Sequence, residues 1–316
     1  MPPSFTRRIS KYDPADRDGH GHYLGAEDTV SDRGPVEAAY LAAIAAFAAD
    51  AGADRLEIRE PAVGGSVPFG PETPVDGHGL AGLFPPDLSG YHDGAEVSVA
   101  VALELVRVML RGQGAWCRLE RQDTFTVHVG WDQYVYVGSD RPCEAAVART
   151  RHLGLFAEPV TVSPYAAHLD EREVTQAADE DFWERVRAEL CAPRTLLLEE
   201  SPVRNATRWH RLTERSLDGV RAALGPRAML TVWPDLSPDV DAVLAGLPED
   251  ETVDFVWEEP GGTICHVTVD RTDHPQLAAS VAGARAACLL PLAVDRRHPL
   301  FQVALPDRDG VLRARW

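Results

Sequence analysis

The sequence predicts an α+β fold built as two tandem α/β sandwich units, each a mostly antiparallel sheet covered by helices on one face. Three observations predict it. A length of 316 residues at 45% apolar composition corresponds to about two domains of ordinary size. "TFTVHVGWDQYVYVGSD" alternates with period two around a short turn, the pattern of a half-buried hairpin. Finally, the order helix, hairpin, helix, strand occurs in both halves of the chain, which raises a divergent internal duplication without aligned identities to establish it.

In the first half, "GPVEAAYLAAIAAFAADAG" places Pro35 at a first helical position and Val36, Tyr40, Ile44 and Phe47 at helical spacing, with Gly52 as the stop. "DRLEIREP" reads as a short strand. The Gly- and Pro-dense stretch from Ala62 to Gly94 reads as a long loop. "EVSVAVALELVRVMLRGQG" is apolar almost all round and predicts a buried helix ending at Gly112. "AWCRLERQD" and the hairpin follow. Cys117, Leu119, Phe125, Val127, Val129, Val135 and Val137 should form the apolar face, with Trp116, Arg118, Thr126, His128, Tyr134 and Tyr136 on the other. "RPCEAAVARTRHLG" predicts a helix capped by Ser139 or Asp140 with Pro142 in its first turn, and "LFAEPVTV" a strand.

The polar "SPYAAHLDEREVTQAADED" predicts a boundary near residues 163–175, with domains at 1–165 and 175–316. After the helix "DFWERVRAEL", the second half reads as strand "RTLLLEES", helix "RWHRLTERSLDGVRAAL", strand "AMLTVWP" and helix "DVDAVLAGL". The hairpin "TVDFVWEEPGGTICHVTVD", helix "HPQLAASVAGA", strand "CLLPLAV" and hairpin "LFQVALPDRDGVLRARW" complete it. Trp233 and Trp257 fall on strands and read as core.

Lys11 is the only lysine, and the net charge is −18. That balance opposes grip on a nucleic-acid backbone, which depends on clustered Lys and Arg; it suits simple solubility first, and next a protein that steers a basic partner. The five cysteines are odd in number and never in CxxC, so neither a disulfide framework nor a zinc ribbon is expected. With no leader-like or membrane-spanning apolar run, the expected location is cytoplasmic, with free thiols and no membrane contact.

The loop "KYDPADRDGHGHYLGAEDTVSD" has to be weighed as a metal site. Set on the calcium-loop pattern with Asp16, Asp18 and Gly19 in register, it has Pro14 and Gly25 where carboxylates are obligatory. His20 and His22 alternate, but zinc needs three or four ligands. The expected role is therefore a loop of local caps open to a partner, with no metal and no cofactor. Tyr12, Asp13, Asp16, Asp18, His20 and Tyr23 are its candidate contact residues. Trp131, Tyr134 and Tyr136 add an aromatic patch at the hairpin, since Trp131 falls on a turn where burial is hard to arrange.

"VYVGSD" is similar to the first ribonucleoprotein hexamer of RNA-recognition domains, with Tyr136 at the base-stacking position. More widely, "KYDPADRD", "GAEDTVSD", "GPVEAAYL", "LAGLFPPDL", "HVGWDQYVYVGSDRPC" and "GLF" resemble a group of uncharacterised actinobacterial proteins often labelled RNA-binding. The resemblance covers roughly residues 8–165. It implies RNA as a ligand and supplies no catalytic residues.

No GxSxG elbow, P-loop, GxGxxG, HExxH or kinase signature occurs. One enzymatic arrangement has a mechanism. Cys143 in the first turn of its helix would gain thiolate stabilisation from the helix dipole and Arg141, with His128 as base and Asp132 as its orienting carboxylate, giving a cysteine-type hydrolase or transferase. Free cysteines are mostly inert and buried. The leading expectation is thus a non-enzymatic cytoplasmic binding protein for a protein partner, basic in charge, of immunity or antitoxin type. Single-stranded RNA binding through Tyr136 is the second reading and the cysteine enzyme the third.

Overall fold

The first strand is one the hydropathy pattern does not announce. In the computed structural model, which describes residues 3–64, 78–161, 163–164, 176–190 and 194–315, β1 (Phe5–Ser10) lies between two later strands although only Ile9 gives it a large buried apolar side chain. Helix α1 (Pro35–Ala51) follows. Asp32 accepts from the amides of Gly34, Val36 and Glu37 at its start, and Gly52 closes it in the left-handed region at φ 70°. Next come β2 (Arg55–Val63), β3 (Glu96–Ser98), α2 (Val99–Leu110), β4 (Ala115–Arg121), β5 (Phe125–Val129), β6 (Val135–Ser139), α3 (Glu144–His152) and β7 (Phe156–Val160). The strands form one antiparallel sheet in the order β3-β2-β4-β5-β6-β1-β7.

Its register carries the predicted alternation. Cys117, Leu119, Phe125, Val127, Val129, Val135 and Val137 are all buried, together with Tyr40, Ile44 and Phe47 of α1 and Leu105 of α2. The helices pack on this face of the sheet, and His128 and Tyr136 pair on the other. Helix α3 departs from expectation at its start. Neither Ser139 nor Asp140 caps it; Cys143 holds the cap position at φ 50°, with no side-chain cap hydrogen bond. Pro142 accordingly lies before the helix. The long loop was expected over Ala62 to Gly94, of which residues 65–77 lie outside the described residues, as does most of the expected boundary segment.

The described residues fall into two compact units, residues up to 164 together with Arg315 in one and 176–314 in the other. The second contains α4 (Glu180–Glu189), β8 (Leu196–Val203), β9 (Ala206–Leu212), α5 (Leu217–Ala223), β10 (Met229–Pro234), α6 (Val240–Ala245), β11 (Val253–Glu258), β12 (Ile264–Val269), α7 (His274–Ser280), β13 (Ala286–Pro291) and β14 (Phe301–Ala304). The α+β class therefore holds for the chain, but this unit has two sheets rather than one, ordered β14-β10-β8-β9 and β12-β11-β13. They pack face to face. Leu197 and Trp233 meet Val256, Ala286 and Leu290 between them, while Phe182, Trp183 and Leu217 cover the outer face of the first sheet and Leu244, Leu277 and Val281 that of the second.

Two further expectations change here. The helix expected over residues 208–224 is strand β9 followed by α5, because Asn205, at φ 66°, turns the chain back so that β9 pairs with β8. The expected C-terminal hairpin is the single strand β14, which pairs with β10 instead of with the residues after it.

Candidate functional site

The Asp-rich loop is held by its own backbone before it offers anything to a partner. Asp13 accepts from the Ala15 amide at 2.8 Å, and Asp18 from the amides of His20 and His22 at 2.8 and 2.9 Å. The His22 amide, with that of His20, holds the Asp18 carboxyl below its usual value. Asp16 and His20 are exposed, and the Leu24 amide donates to the Asp16 carbonyl. Among the described residues no group of three His, Cys, Asp or Glu could hold a metal ion.

The loop then docks on the β5-β6 turn. The Tyr12 ring is buried against Tyr23 (4.8 Å) and Tyr134 (5.2 Å), and its hydroxyl accepts from the Asp28 amide at 2.7 Å. Burial raises the Tyr12 pKa, as do the charges of Asp28, Glu27 and Asp132. The buried Gln133 side chain donates to the carbonyls of Asp28 (2.9 Å) and Val30 (2.8 Å). Tyr134 donates its hydroxyl to Glu27, and Ser31 its amide to the Leu110 carbonyl. The turn itself takes Asp132 and Gln133 at φ 53° and 60°, closed by the Gly130 amide on the Tyr134 carbonyl at 2.8 Å. This lacing holds Trp131 out in solvent, 90% exposed, with Leu24 at 72% and Val30 at 54%. These are the three most exposed large apolar side chains among the described residues.

Tyr134 and Tyr136 do not share that exposure. On the face of the sheet away from the helices, Tyr136 lies in a cross-strand row between His128 and Arg8; the His128 ring stacks on it at 5.5 Å and 17°. Arg8 and Arg17 lie over the Tyr134 ring at 5.4 and 5.8 Å, and both pair with Glu158 at 3.1 Å. The expected aromatic patch is therefore divided. The two tyrosines pack within the sheet face, and Trp131 alone projects.

The cysteine arrangement is likewise not assembled. Ser139 stands opposite Phe125 on the helix-covered side, and the Cys143 thiol donates to the Ser139 hydroxyl at 3.3 Å. His128 lies on the opposite face, so the sheet separates the two groups, and Asp132 belongs to the turn. Burial pushes the Cys143 thiol up, the contrary of what a nucleophile needs. Cys117 is pushed up to about 12, also by burial. Iodoacetamide labelling of the native chain near pH 7 should therefore modify Cys143 and Cys117 more slowly than an unfolded reference thiol. Faster labelling of Cys143 would restore the enzymatic reading.

Leu24, Glu27, Asp28, Val30 and Gln133 join this end of the unit without having been singled out from the sequence. A glutamine in a turn carries no propensity signal, and isolated apolar residues in a loop look ordinary until the loop is seen to be fastened. Comparison of the chain with protein-family models, with curated proteins and with solved structures gave no match.

Proposed function

We propose that the chain is a non-enzymatic cytoplasmic binding protein that engages a basic protein partner through the β5-β6 turn, in the manner of an immunity or antitoxin protein. The observation that carries this reading is the projection of Trp131, Leu24 and Val30 from a hydrogen-bonded frame. Exposed apolar side chains fixed in place give contact area at little entropic cost, and tryptophan is enriched among the residues that dominate interfaces. The surrounding carboxylates and the net charge of −18 favour a positively charged partner. Free Cys117, Cys143, Cys265 and Cys288 fit a reducing compartment. Among the described residues no helix is long and apolar enough to cross a membrane. RNA stacking on Tyr136 has less support, since His128 and Arg8 flank its ring.

Affinity capture with the native chain and with Trp131→Ala tests the proposal. The native chain should retain a basic protein that the variant binds at least about tenfold more weakly, the scale of an interface hot spot. Association should slow as salt rises. Equal retention by both chains would remove the reading, and a retained species lost on ribonuclease treatment would replace it with RNA.

A further inference from the structure

Every other ring in this end of the first unit that meets a cation does so beside a carboxylate. Lys11 places its ammonium 5.5 Å from the Tyr12 ring centroid and 2.5 Å from the Asp28 carboxylate. Arg8 and Arg17 lie over Tyr134 and share Glu158. The same chemistry, an aromatic face under a cation that pairs with an acid, is thus used on two rings of one cluster. Trp131 has the strongest π-face of the aromatic side chains for a cation. Among the described residues no cation lies over it, and it is 90% exposed. Asp132 follows it in the turn, and Glu27 accepts the hydroxyl of Tyr134 from the same turn.

Resting on the binding function proposed above, we infer that Trp131 receives a guanidinium or ammonium side chain from a basic segment of the partner. Lys11 on Tyr12 is the internal counterpart of that contact. Val30, exposed and tied through its carbonyl to Gln133 of the same turn, suits the methylene stem of such a side chain, since long cationic residues lay their stems on apolar surface while the charged head stays near water and acid. An acidic peptide would meet like charge and find no place here.

The test uses the full chain with hexa-arginine, hexa-lysine and hexa-glutamate peptides, titrated by calorimetry at low salt. Both cationic peptides should bind, and the anionic one should not. Trp131→Leu keeps an apolar side chain and removes the π-face; because Trp131 is exposed, the variant should fold, which circular dichroism verifies. It should bind the cationic peptides about fivefold to tenfold more weakly, with Trp131→Phe between the two. Asp132→Asn, which tolerates the left-handed conformation, should weaken them as well. Equal binding by native chain and Trp131→Leu would overturn the inference. If Trp131→Leu still captured the partner that Trp131→Ala releases, apolar docking would stand and the cation contact would fall. If no Trp131 substitution altered capture, the proposed function would fall while the peptide titration still decided the contact.

Discussion

Phe125→Ala should destabilise the first unit by about 4 kcal/mol, the scale of truncating a large aromatic side chain in a core. Phe125 is fully buried on β5, opposite Ser139, on the face that the helices cover. Its loss removes apolar contact and leaves a void that a sheet pinned on both sides by β4 and β6 cannot close. The adjacent Thr126 supplies the control. It points to the other face and is half-buried, so Thr126→Ala should change stability by less than about 1 kcal/mol. Hydrogen exchange of the β5 amides, read with urea unfolding of the whole chain, assigns the loss to this unit. A large effect at Thr126 with a small one at Phe125 would mean that the sheet faces are reversed.

Glu37→Gln should have the next largest effect. The Glu37 carboxylate is buried at the start of α1, where Arg111 meets it at 2.7 Å, Arg107 at 3.2 Å and the Ser31 hydroxyl at 2.5 Å, tying the N-terminal loop to α1 and α2. Removing one member of a buried ion cluster leaves the remaining charges poorly compensated. Because Arg107 and Arg111 keep part of their surface in water, the loss should be about 2–3 kcal/mol, below the full cost for a sealed pair. The hydrogen bonds from Arg111 hold the Glu37 pKa below its usual value. A folded-state pKa below the unfolded one, near 4.3, gives stability that is complete above about pH 5 and is lost as pH falls through the folded value. The difference between native chain and Glu37→Gln should therefore be constant from about pH 6 to 8 and shrink toward pH 3. A difference independent of pH would show that the carboxylate is not held ionised by its partners.

The alternation of the hairpin was legible because one face of each strand is apolar throughout while the other carries polar and aromatic groups; every residue assigned to the apolar side is buried. Strand β1 was not, because a strand between two others can draw its stability from ladder hydrogen bonds while showing arginine at positions 7 and 8. The second sheet of the second unit was hidden for a related reason. A strand buried on both faces loses its period, and Leu196, Leu197 and Leu198 are the visible trace, with Leu197 facing one core and its neighbours another. Strand β9 looked helical since its arginines and His210 could equally decorate a helix surface. At the candidate site, Trp131 could be picked out as a large apolar side chain on a turn. That Tyr134 and Tyr136 would pack beneath arginines depended on β1 and β7, which bring Arg8 and Glu158 to the same row.

The borders of the first sheet restrict how anything can attach to it. Its outermost strands are β3, only three residues long, and β7, which carries Pro159 at its fourth position and so lacks an amide hydrogen there. Short margins and proline are the devices by which sheets resist growth through their rims. A visiting chain would find little continuous backbone to zip onto at either margin. Selectivity would then have to come from side chains, and a substitution at one projecting residue could redirect the protein to a new target without touching the ladder that holds it together.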